Sequence, residues 1–184
     1  MSPFCFGGKS MNATVCSEYA YEAALAVDPL YVRFRGLDVC EDLDESECMM
    51  LFACFEVKQL PSGVLLYEAD ASSDHSMRLI LDGEVSVKRD SDNICDQLYA
   101  GDVFGLFSFL DVERPHSATL KVVADLTLLS INRAYFNVIT LEDPQLGQHM
   151  LRFMFRLLTK QSLKLGNEYA AIVSGMSQQR VSDA

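Results

Sequence analysis

The chain has 184 residues, 49% hydrophobic and 22% charged, with 15 basic against 26 acidic side chains and a net charge of −11. That balance describes a globular chain able to bury a sizeable core, and it excludes disorder as the dominant state. An acidic surface repels a nucleic-acid backbone and anionic lipid, and no apolar run reaches the roughly 20 residues a membrane span needs. Direct DNA binding and membrane insertion by this chain are therefore not expected.

In chain order, residues 17–26 carry the alanines and glutamates of a helix, which Asp28-Pro29 ends. A second helix is predicted over about 44–55, with Asp44, Glu45 and Glu47 placing negative charge at its start. From Glu56 to Ile131 the pattern becomes strand-like. Residues 64–67 form one short strand after the turn Pro61-Ser62-Gly63. Residues 77–81 and 84–88 predict the two arms of a hairpin joined at Asp82-Gly83, and 90–93 predict another turn. Residues 118–123 and 126–131 predict two further strands broken at Asp125. Short strands punctuated by glycine turns predict a small antiparallel barrel or jelly roll.

After Ile131 the pattern is helical again. A short helix is predicted over 133–141, and Pro144 opens a last one by fixing φ in its first turn. Met150, Met154, Leu157 and Leu158 recur on one face of it. That face is broad enough to predict a protein partner or a homodimer through this C-terminal helix. Gly166 is expected to end it. The expected organisation is an N-terminal helical extension over 1–35, a domain over 36–165 and a flexible tail over 166–184.

Six cysteines include no CxxC, and none of the three histidines stands near a cysteine in zinc-like spacing, so no metal is expected. Cys48 and Cys54 flank an apolar run and read as buried thiols, which points to reduced cysteines and a cytoplasmic protein. His75, His116 and His149 fall in different elements and no nucleophile sits in a recognisable strained turn, so catalysis is not expected.

The most informative stretch is Phe104-Gly105-Leu106-Phe107-Ser108-Phe109-Leu110, followed after four residues by Pro115-His116-Ser117-Ala118-Thr119. It resembles the phosphate-binding cassette of the cyclic-nucleotide-binding domain family. That family writes the cassette as Phe-Gly-Glu, an apolar run, four variable residues, then Pro-Arg-Ala/Ser-Ala-Ser/Thr. The resemblance extends from about residue 37 to 165. It implies a mainly β fold with flanking helices, a double-stranded β-helix (jelly roll) of the cyclic-nucleotide-binding type. It also implies a pocket at Phe104, Gly105, Leu106, Phe107, His116, Ser117, Ala118 and Thr119.

In the family the glutamate accepts from the ribose hydroxyl and the arginine grips the phosphate; here those positions are Leu106 and His116. Two readings follow. In the first, Phe107 and Phe109, beside Leu106 and Leu110, fill the space a nucleotide would occupy. The chain is then a non-enzymatic regulatory or protein-interaction module without a cofactor, binding neither cAMP nor cGMP. In the alternative, it is a sensor of a small molecule or cyclic nucleotide whose non-standard pocket uses backbone amides, Ser117 and His116.

Overall fold

The computed structural model describes residues 22–89, 95–111, 113 and 115–182. The expected helix at 17–26 lies partly outside them, with 22–26 helical, and the expected turn at 90–93 lies outside altogether.

The first helices begin where side chains can satisfy open backbone donors. Helix α1 (Pro29–Arg35) starts on a proline, and the Asp28 carboxylate accepts from the Leu30 N–H at 2.7 Å. Helix α2 (Glu45–Ala53) is closed by a reciprocal pair: Asp44 accepts from the Glu47 N–H at 2.8 Å, and the Glu47 side chain accepts from the Asp44 N–H at 3.3 Å. Strands β1 (Glu56–Leu60) and β2 (Leu65–Tyr67) follow.

The expected hairpin at Asp82-Gly83 is not there. Residues Ser76–Lys88 form one continuous strand, β3, and Thr119–Asn132 form another, β6, running through Asp125 without a break. The two pair antiparallel along their length, with register shifts between Ile80 and Val85. Gly83 sits in that bulged stretch at φ +99°, where a Cβ would lie 2.3 Å from the Asp125 carbonyl oxygen. A glycine at positive φ serves a bulge as well as a turn, so the dipeptide alone does not separate a hairpin from a bent strand.

Strands β4 (Cys95–Leu98) and β5 (Val103–Phe104) both pair with β3. The sheet order is β1-β6-β3-β4, with β2 on β6 and β5 on β3. Its path ends at β1 and β4 without closing, and helical residues outnumber strand residues. The mainly β jelly roll expected from the sequence is thus corrected to a mixed α/β fold around one open sheet. Two long bent strands do the work assigned to four short ones.

Helix α3 (Leu106–Leu110) lies in the cassette, and α4 (Arg133–Glu142) follows β6. Helix α5 (Pro144–Ser182) passes through Gly166 instead of stopping there. The residues after that glycine include Glu168, Ala170 and Ala171, good helix formers that keep the chain in register. A contact between His149 Nδ1 and the Glu47 carboxylate at 3.0 Å ties α5 to α2.

Buried side chains fall into two cores. One joins the helices to the sheet, with Phe34 touching Phe52 and Phe153 at ring separations of 5.6 and 5.8 Å. The other lies among the strands and holds Ile80, Val85, Phe104, Leu120, Leu126 and Leu128. Met150, Met154 and Leu157 are buried in the first core and Leu158 packs against it, so these four serve the chain's own packing. Among the described side chains of α5, the exposed large apolar ones are Leu151, Phe155, Leu163, Leu165 and Tyr169.

Candidate functional site

The cassette begins with a tight approach. Gly105 stands at φ +75°, and a Cβ on it would fall 2.3 Å from the Ser76 carbonyl oxygen, so no other residue fits. Beyond it, α3 is held by the Gly105 carbonyl, which accepts from the Phe109 N–H at 2.9 Å and the Ser108 hydroxyl at 3.1 Å.

The two faces of α3 go to different places. Leu106 and Phe109 point into the helix-side core, where they are 2% and 1% exposed, and Phe109 meets Phe136 edge-on at 5.6 Å. Phe107 is 56% exposed and faces a cavity of about 830 Å³. The reading in which Phe107 and Phe109, beside Leu106 and Leu110, fill the nucleotide space is corrected for Leu106 and Phe109: both lie in the helix-side core, while Phe107 lines a hollow that stays open.

Phe104, Gly105, Phe107, His116, Ser117 and Ala118 line that cavity; Leu106 and Thr119 do not. Thr119 instead accepts from the Ala69 N–H at 3.0 Å, fixing the loop after β2. Opposite the cassette, α5 contributes Leu157, Lys160, Gln161, Lys164 and Leu165. Lys160 pairs with Asp38 at 2.8 Å and Lys164 with Asp102 at 3.1 Å, so α5 is laced to the rest of the rim by exposed ion pairs. Such pairs are individually weak and easily exchanged.

His116 occupies the position of the family's arginine. It lies flat on Tyr67, with ring centroids 3.6 Å apart and planes 8° from parallel, and it is 6% exposed. Its backbone is clamped on both sides: its N–H donates to the Ala71 carbonyl at 3.2 Å, and its carbonyl accepts from the Asp70 N–H at 2.9 Å. Burial pushes its pKa below the usual 6.5; Arg78 and His75 push the same way, and Asp74 opposes them. The ring is therefore neutral at pH 7 and makes an aromatic wall, not a cationic one.

Sequence reasoning singled out neither Tyr67 nor Arg78 as a site residue. Arg78 lies in β3 directly across from Phe104 in β5 and is ion-paired with Asp74. Burial raises the Asp74 carboxyl, but the Arg78 guanidinium and the Ser76 N–H outweigh it and hold the group below the usual carboxylate range. The available signal was a charged residue between the core positions Met77 and Leu79.

The cyclic nucleotide-binding domain family model matches residues 57–143, just under half of the chain and the whole span from β1 to α4. Over that span the chain is similar to the cyclic nucleotide-binding domain family. Among solved structures it is similar to a cyclic nucleotide-binding domain from Methylobacillus flagellatus KT, at 20% identity and TM-score 0.61, covering 86% of this chain and 85% of that one. It is similar to PKAR CBD2 with Sp-2Cl-cAMPS bound, at 18% identity and TM-score 0.57, covering 81% and 94%. It is also similar to the c-di-GMP responsive global regulator CLP of Xanthomonas campestris, at 13% identity and TM-score 0.54, covering 66% and 59%. No curated protein sequence matches the chain.

The expectation of no cofactor is corrected on these findings: a domain of this fold is seen with Sp-2Cl-cAMPS bound, and the cavity here is open rather than filled. Among the described residues, no group of three His, Cys, Asp or Glu side chains could hold a metal ion. No described helix is long and apolar enough to cross a membrane.

Proposed function

We propose that this chain is a regulatory sensor domain that takes a small anionic ligand of the cyclic-nucleotide class between the cassette and α5. The observation that carries this reading is the direction of Leu106 and Phe109, which leaves the cavity unfilled. At about 830 Å³ it falls within the range of small-molecule sites. Phe104, Phe107 and the stacked Tyr67–His116 pair offer apolar and aromatic surface to a base, and Ser117 is exposed with a hydroxyl to give.

Because Leu106 lies outside the cavity, its replacement of the family's glutamate removes a ribose acceptor without placing bulk in the way. The ligand is therefore held with less help at the sugar than in members that keep the carboxylate, at a cost of about 1–3 kcal/mol if that hydroxyl finds no other partner. Both a mononucleotide and a cyclic dinucleotide belong to the class, the latter suggested by the c-di-GMP responsiveness of CLP. Ligand entry would exchange the Lys160–Asp38 and Lys164–Asp102 pairs and so reposition α5.

Differential scanning fluorimetry with cAMP, cGMP and c-di-GMP tests the reading, since a ligand that binds only the folded state raises the midpoint with the logarithm of its concentration above Kd. A concentration-dependent rise with at least one of them is expected. No rise with any at millimolar concentration defeats the proposal.

A homodimer through α5 is a second element of the reading. Phe155, Ser162 and Tyr169 recur at heptad spacing, with the exposed Leu151 and Leu165 beside them, and Phe155 and Tyr169 are 66% and 71% exposed. That spacing suits a two-helix seam. Sedimentation velocity should give a dimer that Phe155→Glu converts to monomer, and a wild-type monomer at high concentration would remove the seam. A cytoplasmic setting is consistent with free, buried Cys40, Cys48 and Cys54.

A further inference from the structure

Among the described residues, Arg78 carries a guanidinium that stands against the cassette wall with a donor unused. Its Nη2 is ion-paired with Asp74, while its Nη1 is buried and has no hydrogen-bond partner among the described residues. The side chain as a whole is only 12% exposed. Its guanidinium carbon lies 6.0 Å from the centre of the Phe104 ring, and Nη1 is 3.8 Å from the point where a Cβ on Gly105 would stand. Phe104 and Gly105 both line the cavity.

An arginine cannot escape burial by giving up its proton, so an unused N–H beside a cavity marks a place where an acceptor belongs. The local charges point the same way. Asp74 satisfies one edge of the guanidinium, the His75 Nδ1–H donates to the Ser108 carbonyl at 3.3 Å, and His116 and Tyr67 face each other in a neutral stack. The Arg78 charge is felt by both of those cavity-lining rings. Arg78 is not itself part of the cavity lining; its Nη1 is buried behind Phe104 and Gly105, which are.

We propose that Arg78 is the anion-holding residue of this cavity, supplying from β3 the guanidinium that the cassette lacks at His116. The ligand class it selects is a phosphodiester or other phosphate-bearing anion lodged against Gly105. Nη1 donates to the anion while Nη2 keeps Asp74, so the carboxylate fixes the fork in place. This inference rests on the sensor reading for the identity of the ligand, but not for the existence of an anion site.

The test is isothermal titration calorimetry of the full chain with cAMP and with c-di-GMP, comparing wild type, Arg78→Gln, Arg78→Lys and His116→Gln. Loss of a charge-assisted hydrogen bond predicts a drop of about tenfold or more in affinity for Arg78→Gln. Arg78→Lys should fall between it and wild type, and His116→Gln, which removes aromatic surface but no charge, should weaken binding less than Arg78→Gln does. Binding by wild type and Arg78→Gln with equal affinity overturns the assignment and leaves the sensor reading standing.

If wild type binds neither nucleotide, the sensor reading fails, and thermal shift with pyrophosphate decides the anion site alone. A rise in wild type that Arg78→Gln abolishes keeps the assignment, and an absent or identical rise overturns it. If Arg78→Gln does not fold, Arg78→Lys carries both comparisons, with unchanged binding counting against the assignment.

Discussion

The two faces of α3 differ more than their composition suggests. Leu106 and Phe109 sit among tightly packed aromatics and aliphatics beneath the helices, while Phe107, one residue from Leu106, stands beside an open cavity. The inner face builds the fold and the outer face meets whatever enters. A motif position can therefore lose its ligand-binding residue without the pocket being lost, because the replacement changes which core the position serves. That distinction is directional, and direction within one helical turn depends on how the helix is seated by Gly105.

The largest expected effect comes from trying to restore the family's carboxylate. Leu106→Glu would bury an unpaired charge in the helix-side core, and a loss of more than about 5 kcal/mol is expected from lost packing and desolvation together. Chemical denaturation should show a protein largely unfolded at neutral pH. A stable Leu106→Glu variant with improved nucleotide affinity would place that side chain in the cavity after all.

Phe109→Ala sharpens the same contrast, with a loss of about 3–5 kcal/mol by urea unfolding. A change under about 1 kcal/mol would mean that the inner face is loosely packed.

His116 provides a pH test of the outer wall. Its folded pKa lies below 6.5, so as pH falls the unfolded chain takes up the proton first. Its contribution to stability is fully present above that value and declines as pH drops through and below it. His116→Asn should flatten this part of the stability–pH curve between about pH 7 and 5, with Asp74 acting only at lower pH. An unchanged slope in the variant would show that the ring is not held neutral by burial. The smallest expected effect on stability belongs to Phe107→Ala, within about 1 kcal/mol by thermal unfolding because the ring is half exposed. The same change should weaken nucleotide binding, and a large stability loss without a binding change would reverse the roles of the two faces.

Much of the architecture was readable from local chemistry. Asp44 and Glu47 announce the start of α2, Pro144 opens the last helix, and Gly105 with the Pro115–Thr119 spacing marks the cassette, whereas Pro29 was read only as ending a helix although it opens α1. The open sheet was not readable, because Asp82-Gly83 and Asp125 carry the residues of turns while long-range pairing of β3 with β6 makes them bulges and bends. Nor was the fate of Leu106 readable, since an apolar side chain is as suited to filling a pocket as to leaving it. Arg78 escaped notice because its meaning comes from Phe104 and Gly105, more than twenty residues away in sequence and adjacent only across the sheet.

The separation between packed face and open cavity is tested most directly by methyl and aromatic NMR spectra recorded during titration with the tightest-binding cyclic nucleotide. The Phe107, His116 and Ala118 signals are predicted to shift together and saturably, while Leu106 and Phe109 stay close to their unliganded positions. Primary shifts at Leu106 and Phe109 with none at Phe107 or His116 would contradict the account.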